Sequence, residues 1–251
     1  MGAMTNGQQP SFFNPLNEVW HGMEKKLIRE VIFGLNDGLV TAFGFISGVN
    51  GAHVKPLVVI LTGVAEAVAG GLSMFFGAYL STKAQREFFE SEIRREKREI
   101  ETMPEQEEDE VRQIYLKKGF TPEETEMIVK RITSNKDEWI AFMMKEELGL
   151  FPENFDNPVK SAGVIGVSFF AAALIPVIPF GILSIQQWAF LISTLLTLIT
   201  LFIVGAGKTK ITRTSWLKGG LEMLIIGIIA GGIGFWVGKL MILLKLSGAS
   251  L

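Results

Sequence analysis

The chain has no cysteine, only two histidines (His21 and His53) and two tyrosines among its 251 residues. The missing thiols exclude disulfides, iron–sulfur clusters and thiolate metal sites. The scarcity of histidine argues against metal chemistry built on imidazole, including the Glu-x-x-His pairs of carboxylate-bridged di-iron bundles. No strand periodicity is evident, and no basic stripe with interleaved aromatics marks a nucleic-acid surface. The start of the chain lacks the charged, apolar and small-residue succession of a secretory signal, and Met1 to Met4 reads as an appended segment.

What is present is apolar sequence in long runs. Hydrophobic residues make up 48% of the chain, mean hydropathy is +0.34 and there are 27 glycines. Charged residues still reach 20%, and they are concentrated. Between Lys83 and Glu153 lie 19 of the 26 acidic and 13 of the 24 basic residues. The expected class is therefore an all-α membrane protein with an inserted polar domain. Five stretches approach the ~20 residues that cross a bilayer, near 29–50, 57–81, 159–181, 185–207 and 217–243. The expected organisation is an N-terminal cytoplasmic segment (1–28), transmembrane helices 1–2 (29–82), a cytoplasmic helical metal-binding domain (83–156) and transmembrane helices 3–5 (157–251). Basic residues flanking the spans set this orientation. Lys25, Lys26 and Arg29 precede the first span, and Lys208, Lys210, Arg213 and Lys218 separate the fourth from the fifth. Only Lys55 and Lys245 fall on the opposite side, so the basic side, with the N-terminus, is cytoplasmic.

Punctuation predicts the helices of the insertion. No Gly or Pro stops the second span before Pro104, so one helix of about 65 Å, from 57 to 101, extends beyond the bilayer. The next helix ends near Gly119, Thr121-Pro-Glu-Glu124 forms a capping box, Asn135 starts another helix and Gly149 closes it. In the membrane, Gly227, Gly231, Gly234 and Gly238 form two Gly-x-x-x-Gly pairs for close helix packing, while Gly63, Ala67, Gly70 and Gly77 surround Glu66. Pro176 and Pro179 kink or end the third span, Ser193, Thr197 and Thr200 bond between helices, and Glu222 pairs with Lys218 or is favoured by its place near a helix N-terminus.

Two carboxylates stand out. Asp37 and Glu66 lie within apolar spans, where an ionised group costs roughly 2.5 kcal/mol or more and persists only beside a partner, a cavity or an ion. Met74 follows two turns after Glu66. In the insertion, Glu92, Glu96 and Glu99 share one helical face, Glu107 and Glu110 sit three apart, and Met143, Met144 and Glu147 share a third face. A short bundle brings these faces together, and converging like charges call for cations. Carboxylates with thioethers suit Fe²⁺, Mn²⁺, Co²⁺ or Zn²⁺ better than Ca²⁺ or Mg²⁺.

Taken together, Asp37-Gly-Leu-Val-Thr41, Glu66-Ala-Val-Ala-Gly-Gly-Leu-Ser-Met74, Tyr79-Leu-Ser-Thr-Lys-Ala-Gln85, the Glu-rich insertion and Met143-Met-Lys-Glu-Glu147 resemble the vacuolar iron transporter family. The resemblance covers nearly the whole chain. It implies a homodimer with five transmembrane helices per subunit, a pathway between subunits, and Fe²⁺/H⁺ antiport out of the cytosol by a secondary transporter with no prosthetic group. By motif, Asp37, Glu66 and Met74 line that pathway. Glu96, Glu99, Glu107, Glu110, Met143, Met144 and Glu147 bind metal in the cytoplasmic domain. A prokaryotic member works at the cell membrane and a eukaryotic one at the vacuole; the absence of a targeting extension favours the former. The rival reading is a membrane-attached metal-binding or di-iron oxidase protein, which lacks its Glu-x-x-His signature here.

Overall fold

A computed structural model describes residues 15–150 and 157–246. Met1 to Met4 and the segment joining the insertion to the third span lie outside the described residues, as do the side chains of His21, Lys25, Lys26 and Lys245. The described residues form α-helices and no strand: α1 (Pro15–Gly51), α2 (Pro56–Thr102), α3 (Pro104–Lys117), α4 (Pro122–Thr133), α5 (Lys136–Glu146), α6 (Pro158–Leu174), α7 (Ile178–Ile182), α8 (Gln186–Thr212) and α9 (Trp216–Leu246). They divide into two compact units, one up to Phe76 and from Ser161 onward, the other Gly77–Lys160; α2 contributes to both.

In the first unit, four helices are long and apolar enough to cross a membrane: Leu27–Gly51, α2, Gln186–Lys210 and Trp216–Leu244. The third expected span is different. It breaks into α6, of 17 residues, and the single turn α7. Pro176 and Pro179 cause the break, since neither can donate to a helical ladder. Large apolar side chains are turned outward, as on α2 at Leu57, Leu61, Val64, Val68, Leu72, Phe76 and Leu80. Such a surface suits lipid rather than water.

With no hydrophobic drive between helices in lipid, close backbone approach has to hold the bundle, and glycine permits it. A Cβ at Gly34 or Gly38 would strike the α6 backbone at Ile165 or Phe169. On α9, a Cβ at Gly234 would fall on the Gly44 carbonyl and one at Gly238 on the Gly48 carbonyl. Gly231 receives the Phe43 ring and Gly227 the Leu201 side chain. Gly227, Gly231, Gly234 and Gly238 of α9 are therefore packing residues. Replacing Gly238 by valine should lower the melting temperature of the full chain in detergent, through overpacking worth about 1–3 kcal/mol. The control is Gly232→Val, where a Cβ meets nothing within 4 Å. Equal melting temperatures for the two variants would show that the α1–α9 contact does not carry stability.

Polar side chains tie the same unit together. Ser193 donates to the Pro176 carbonyl (2.6 Å), occupying an acceptor in the segment between α6 and α7. Thr197 and Thr200, expected to bond between helices, instead donate to Ser193 and Leu196 four residues back in α8. Glu222 pairs with Lys208 of α8 (2.6 Å) rather than with Lys218 of its own helix.

In the second unit, the helix ends follow their signals. Thr121 and Glu124 form a reciprocal capping box, Asn135 caps α5, and Gly119 and Gly149 take the positive φ (92° and 65°) that ends a helix cheaply only with glycine. Ile100, Val111, Val129, Trp139 and Met143 form the apolar core. Tyr115 of α3 stacks on Phe142 of α5 (5.5 Å), and Lys118 bonds to Glu146, fixing α5 against α3.

Candidate metal sites

The core of the second unit explains its acidic centre. Ile100, Val111 and Met143 each lie one helical turn from a glutamate: Glu96 on α2, Glu107 on α3 and Glu147 at the C-cap of α5. Packing the three apolar residues together therefore draws the three carboxylates together. Their oxygens lie within 4.8 Å of one another. Glu96 is 1% exposed and Glu107 3%, whereas Glu147 is more open to solvent.

Burial of carboxylates at such close quarters has electrostatic consequences. Desolvation, then the charges of Glu107, Glu147 and Glu99, push the Glu96 carboxyl up to about 8. Glu96 and Glu107 lie within hydrogen-bonding range of one another, which adds to the rise at Glu96. Glu107 is also raised on balance, by burial first and then by Glu110. Glu147 is raised by burial and by Glu110, and is drawn down by Arg95. Among the described residues, no N–H or hydroxyl donor reaches buried Glu96 Oε1 or Glu107 Oε2. Two nearly buried carboxyl oxygens without donors, close to a third carboxylate, make this cluster a candidate site for a divalent cation.

Of the seven sequence-predicted metal residues, Glu96, Glu107 and Glu147 converge. Glu99 and Glu110 stand beside them as charges felt by the cluster. Met143 is fully buried in the apolar core and Met144 is 2% exposed. Arg95 escaped the sequence reading; with acids three and four residues away it looks like an ordinary helical ion-pair residue.

The first unit holds the second constellation. Asp37 on α1 and Glu66 on α2 are half-buried and within electrostatic range of one another. No ion pair among the described residues reaches either. Lys239 of α9 lies over the Trp236 ring (5.0 Å). Gly38, next to Asp37, sits against the Phe169 backbone, and Gly70 leaves room for the Phe169 ring and for Glu66 Oε1, which would lie 3.2 Å from a Cβ there. Glu66 Oε2 and Asn36 Oδ1 are buried and unpaired. Ala42, Ala67, Phe169 and Ala173 form the adjoining apolar cluster, and Met74 packs against it. Small residues from α1 and α2 thus surround two carboxylates with no counter-charge. A buried pair also emerges that sequence reading passed over: Ser161 donates to Glu30 (2.5 Å). Its signal was the seven-residue spacing from Glu30 to Asp37, which puts both on one helical face.

Residues 28–239 match the model of a family described as the VIT family. A vacuolar iron transporter of Centaurea cyanus is 32% identical over 233 residues, covering 93% of this chain and 95% of that protein. Vacuolar iron transporter 1 of Arabidopsis thaliana is 32% identical over 219 residues, covering 87% and 88%. The vacuolar iron transporter of Plasmodium falciparum (isolate 3D7) is 34% identical over 227 residues, covering 87% and 83%.

Proposed function

This chain belongs to the VIT family, and we propose that it exports ferrous iron from the cytosol in exchange for protons, with Mn²⁺ as a second cargo. The observation that carries this reading is the pair of half-buried carboxylates, Asp37 and Glu66, without a counter-charge among the described residues of an apolar helical unit. Such groups need a cation or a proton. Together with Met74 they line the path, and the relatives named as iron transporters support iron as the cargo. The glutamates of the second unit collect metal on the cytoplasmic side. Glu96, Glu107 and Glu147 bind it, Glu99 and Glu110 add attraction, and Met143 and Met144 bias the site toward transition metals.

In this reading five spans cross the membrane, α6 with α7 serving as the third, and the protein acts at the cell membrane of a prokaryote. Two copies pair, and the exposed apolar stripe of α2 supports such a contact. Metal arriving from the cytosol displaces protons from Asp37 and Glu66, and protons from the receiving side displace metal in turn.

The test is metal uptake into proteoliposomes. Flux should accelerate when the receiving lumen is acidic, slow when an ionophore collapses the gradient at constant membrane potential, and return protons to a pH dye outside. Flux indifferent to the gradient, without proton counterflow, would leave a passive metal channel.

A further inference from the structure

Arg95 stands inside the acidic face of the second unit. Its Nη1 lies 3.3 Å from Glu92 Oε2 and its Nε 3.4 Å from Glu99 Oε2. These partners are more buried than the outer ion-pairing glutamates of α2: Glu92 is 15% and Glu99 32% exposed, against 64% for Glu87, which pairs with Lys83. The pairing is loose, because Arg95 Nε is buried and makes no hydrogen bond despite the proximity of Glu99. Its charge reaches Glu147, where it opposes the effect of Glu110, Glu99 and Glu92. A guanidinium stays charged at any physiological pH, so protonation cannot remove it from the site.

We propose that Arg95 is a tethered counter-cation of the Glu96–Glu107–Glu147 site, holding the acidic face while metal is absent and yielding it to a divalent cation. The inference rests on the reading of that cluster as a metal site. Six neighbouring carboxylates (Glu92, Glu96, Glu99, Glu107, Glu110 and Glu147) around a dication would bind it tightly and release it slowly. An arginine competing for Glu92 and Glu99 weakens the bound state and speeds release, as a domain that passes its ion onward requires. Hydrogen-bonded forks hold a carboxylate firmly; two ion pairs beyond 3.2 Å do not, and they can exchange for a metal.

The direction of the effect separates this role from a structural one. If Arg95 merely braces the helix, its loss weakens metal binding; if it competes, its loss strengthens binding. The experiment titrates the full-length protein in detergent with Mn²⁺ alone and follows release into excess chelator. Arg95→Gln should bind about tenfold more tightly, as expected for removing a unit charge a few ångströms from a dication in a partly solvated site, and should release Mn²⁺ more slowly. Arg95→Met should shift the same way, and Arg95→Lys, which keeps the charge, should stay within about twofold of the unaltered protein. Equal or weaker binding by both neutral variants, with helical content unchanged, overturns the proposal while leaving the site intact. An unaltered protein that binds Mn²⁺ no better than Glu96→Gln overturns the site and the proposal together.

Discussion

Replacing Glu66 by glutamine should reduce metal flux in proteoliposomes to about 1% or less, and Asp37→Asn should do the same. The estimate comes from what the carboxylate costs. An ionised side chain at the bilayer centre costs roughly 2.5–3.5 kcal/mol, and the passing cation must offset at least that much. Two decades of affinity correspond to about 2.8 kcal/mol. Glutamine keeps the shape and loses the charge, so the cation loses its partner. The variant should still fold. Removing one member of a buried ion pair strands the other and destabilises, but no ion pair among the described residues involves Glu66. Its melting temperature should therefore be unchanged or higher. Glu66→Asp, which keeps the charge and withdraws it by one methylene, should retain part of the flux. Near-normal flux in both neutral variants would remove these carboxylates from the path.

Much of this arrangement was legible in the sequence, for physical reasons. The length of α2 follows from the absence of any proline between Pro56 and Pro104 and of any glycine after Gly77, and the ends of α3, α4 and α5 from Gly119, Thr121, Asn135 and Gly149. Those signals are local and need no tertiary information. The acidic face at Glu92, Glu96 and Glu99 was equally plain from helical spacing. Which glutamates converge was not. That depends on Ile100, Val111 and Met143 meeting in one core, a contact among three helices that no periodicity within a single helix encodes. The same limit explains Glu222: Lys218 is its neighbour in sequence, but the crossing of α8 and α9 at Gly205 and Gly219 brings Lys208 closer. Thr197 and Thr200 show the reverse, since a helical threonine can satisfy itself on the carbonyl four residues back. The third stretch has the composition of a membrane helix but not its continuity, and Pro176 and Pro179 announced the break, since neither carries the N–H that a helical ladder needs.

The acidic cluster should bind metal with a pH dependence that Glu96 dictates. Its carboxyl, raised to about 8 in the metal-free protein, holds a proton at pH 7, and a divalent cation has to displace it. Apparent affinity for Mn²⁺ should thus fall about tenfold for each pH unit below 8, for the one proton displaced, and level off above. The stability of the metal-free protein should run the opposite way. The folded state holds this proton between the ordinary glutamate value of 4.5 and about 8 while the unfolded chain has lost it, so stability contributed by the neutral carboxyl declines as pH rises across that window. Glu96→Gln should weaken both dependences, because an amide has no proton to exchange, leaving only the contributions of Glu107 and Glu147. It should also weaken Mn²⁺ binding by about a hundredfold, with Glu107→Gln close behind, since each leaves two carboxylates where three converged. Glu123→Gln, on the exposed first turn of α4, should do neither. Replacing Met143 and Met144 by leucine keeps the apolar volume beneath Glu147 and deletes both sulfurs; it should erode preference for Fe²⁺ over Mg²⁺ while sparing Mn²⁺ affinity. Calorimetry of the full chain in detergent at pH 6, 7 and 8 measures all of these. Affinity flat across that range and equal in the unaltered protein and Glu96→Gln would reduce the cluster to a solvated acidic face.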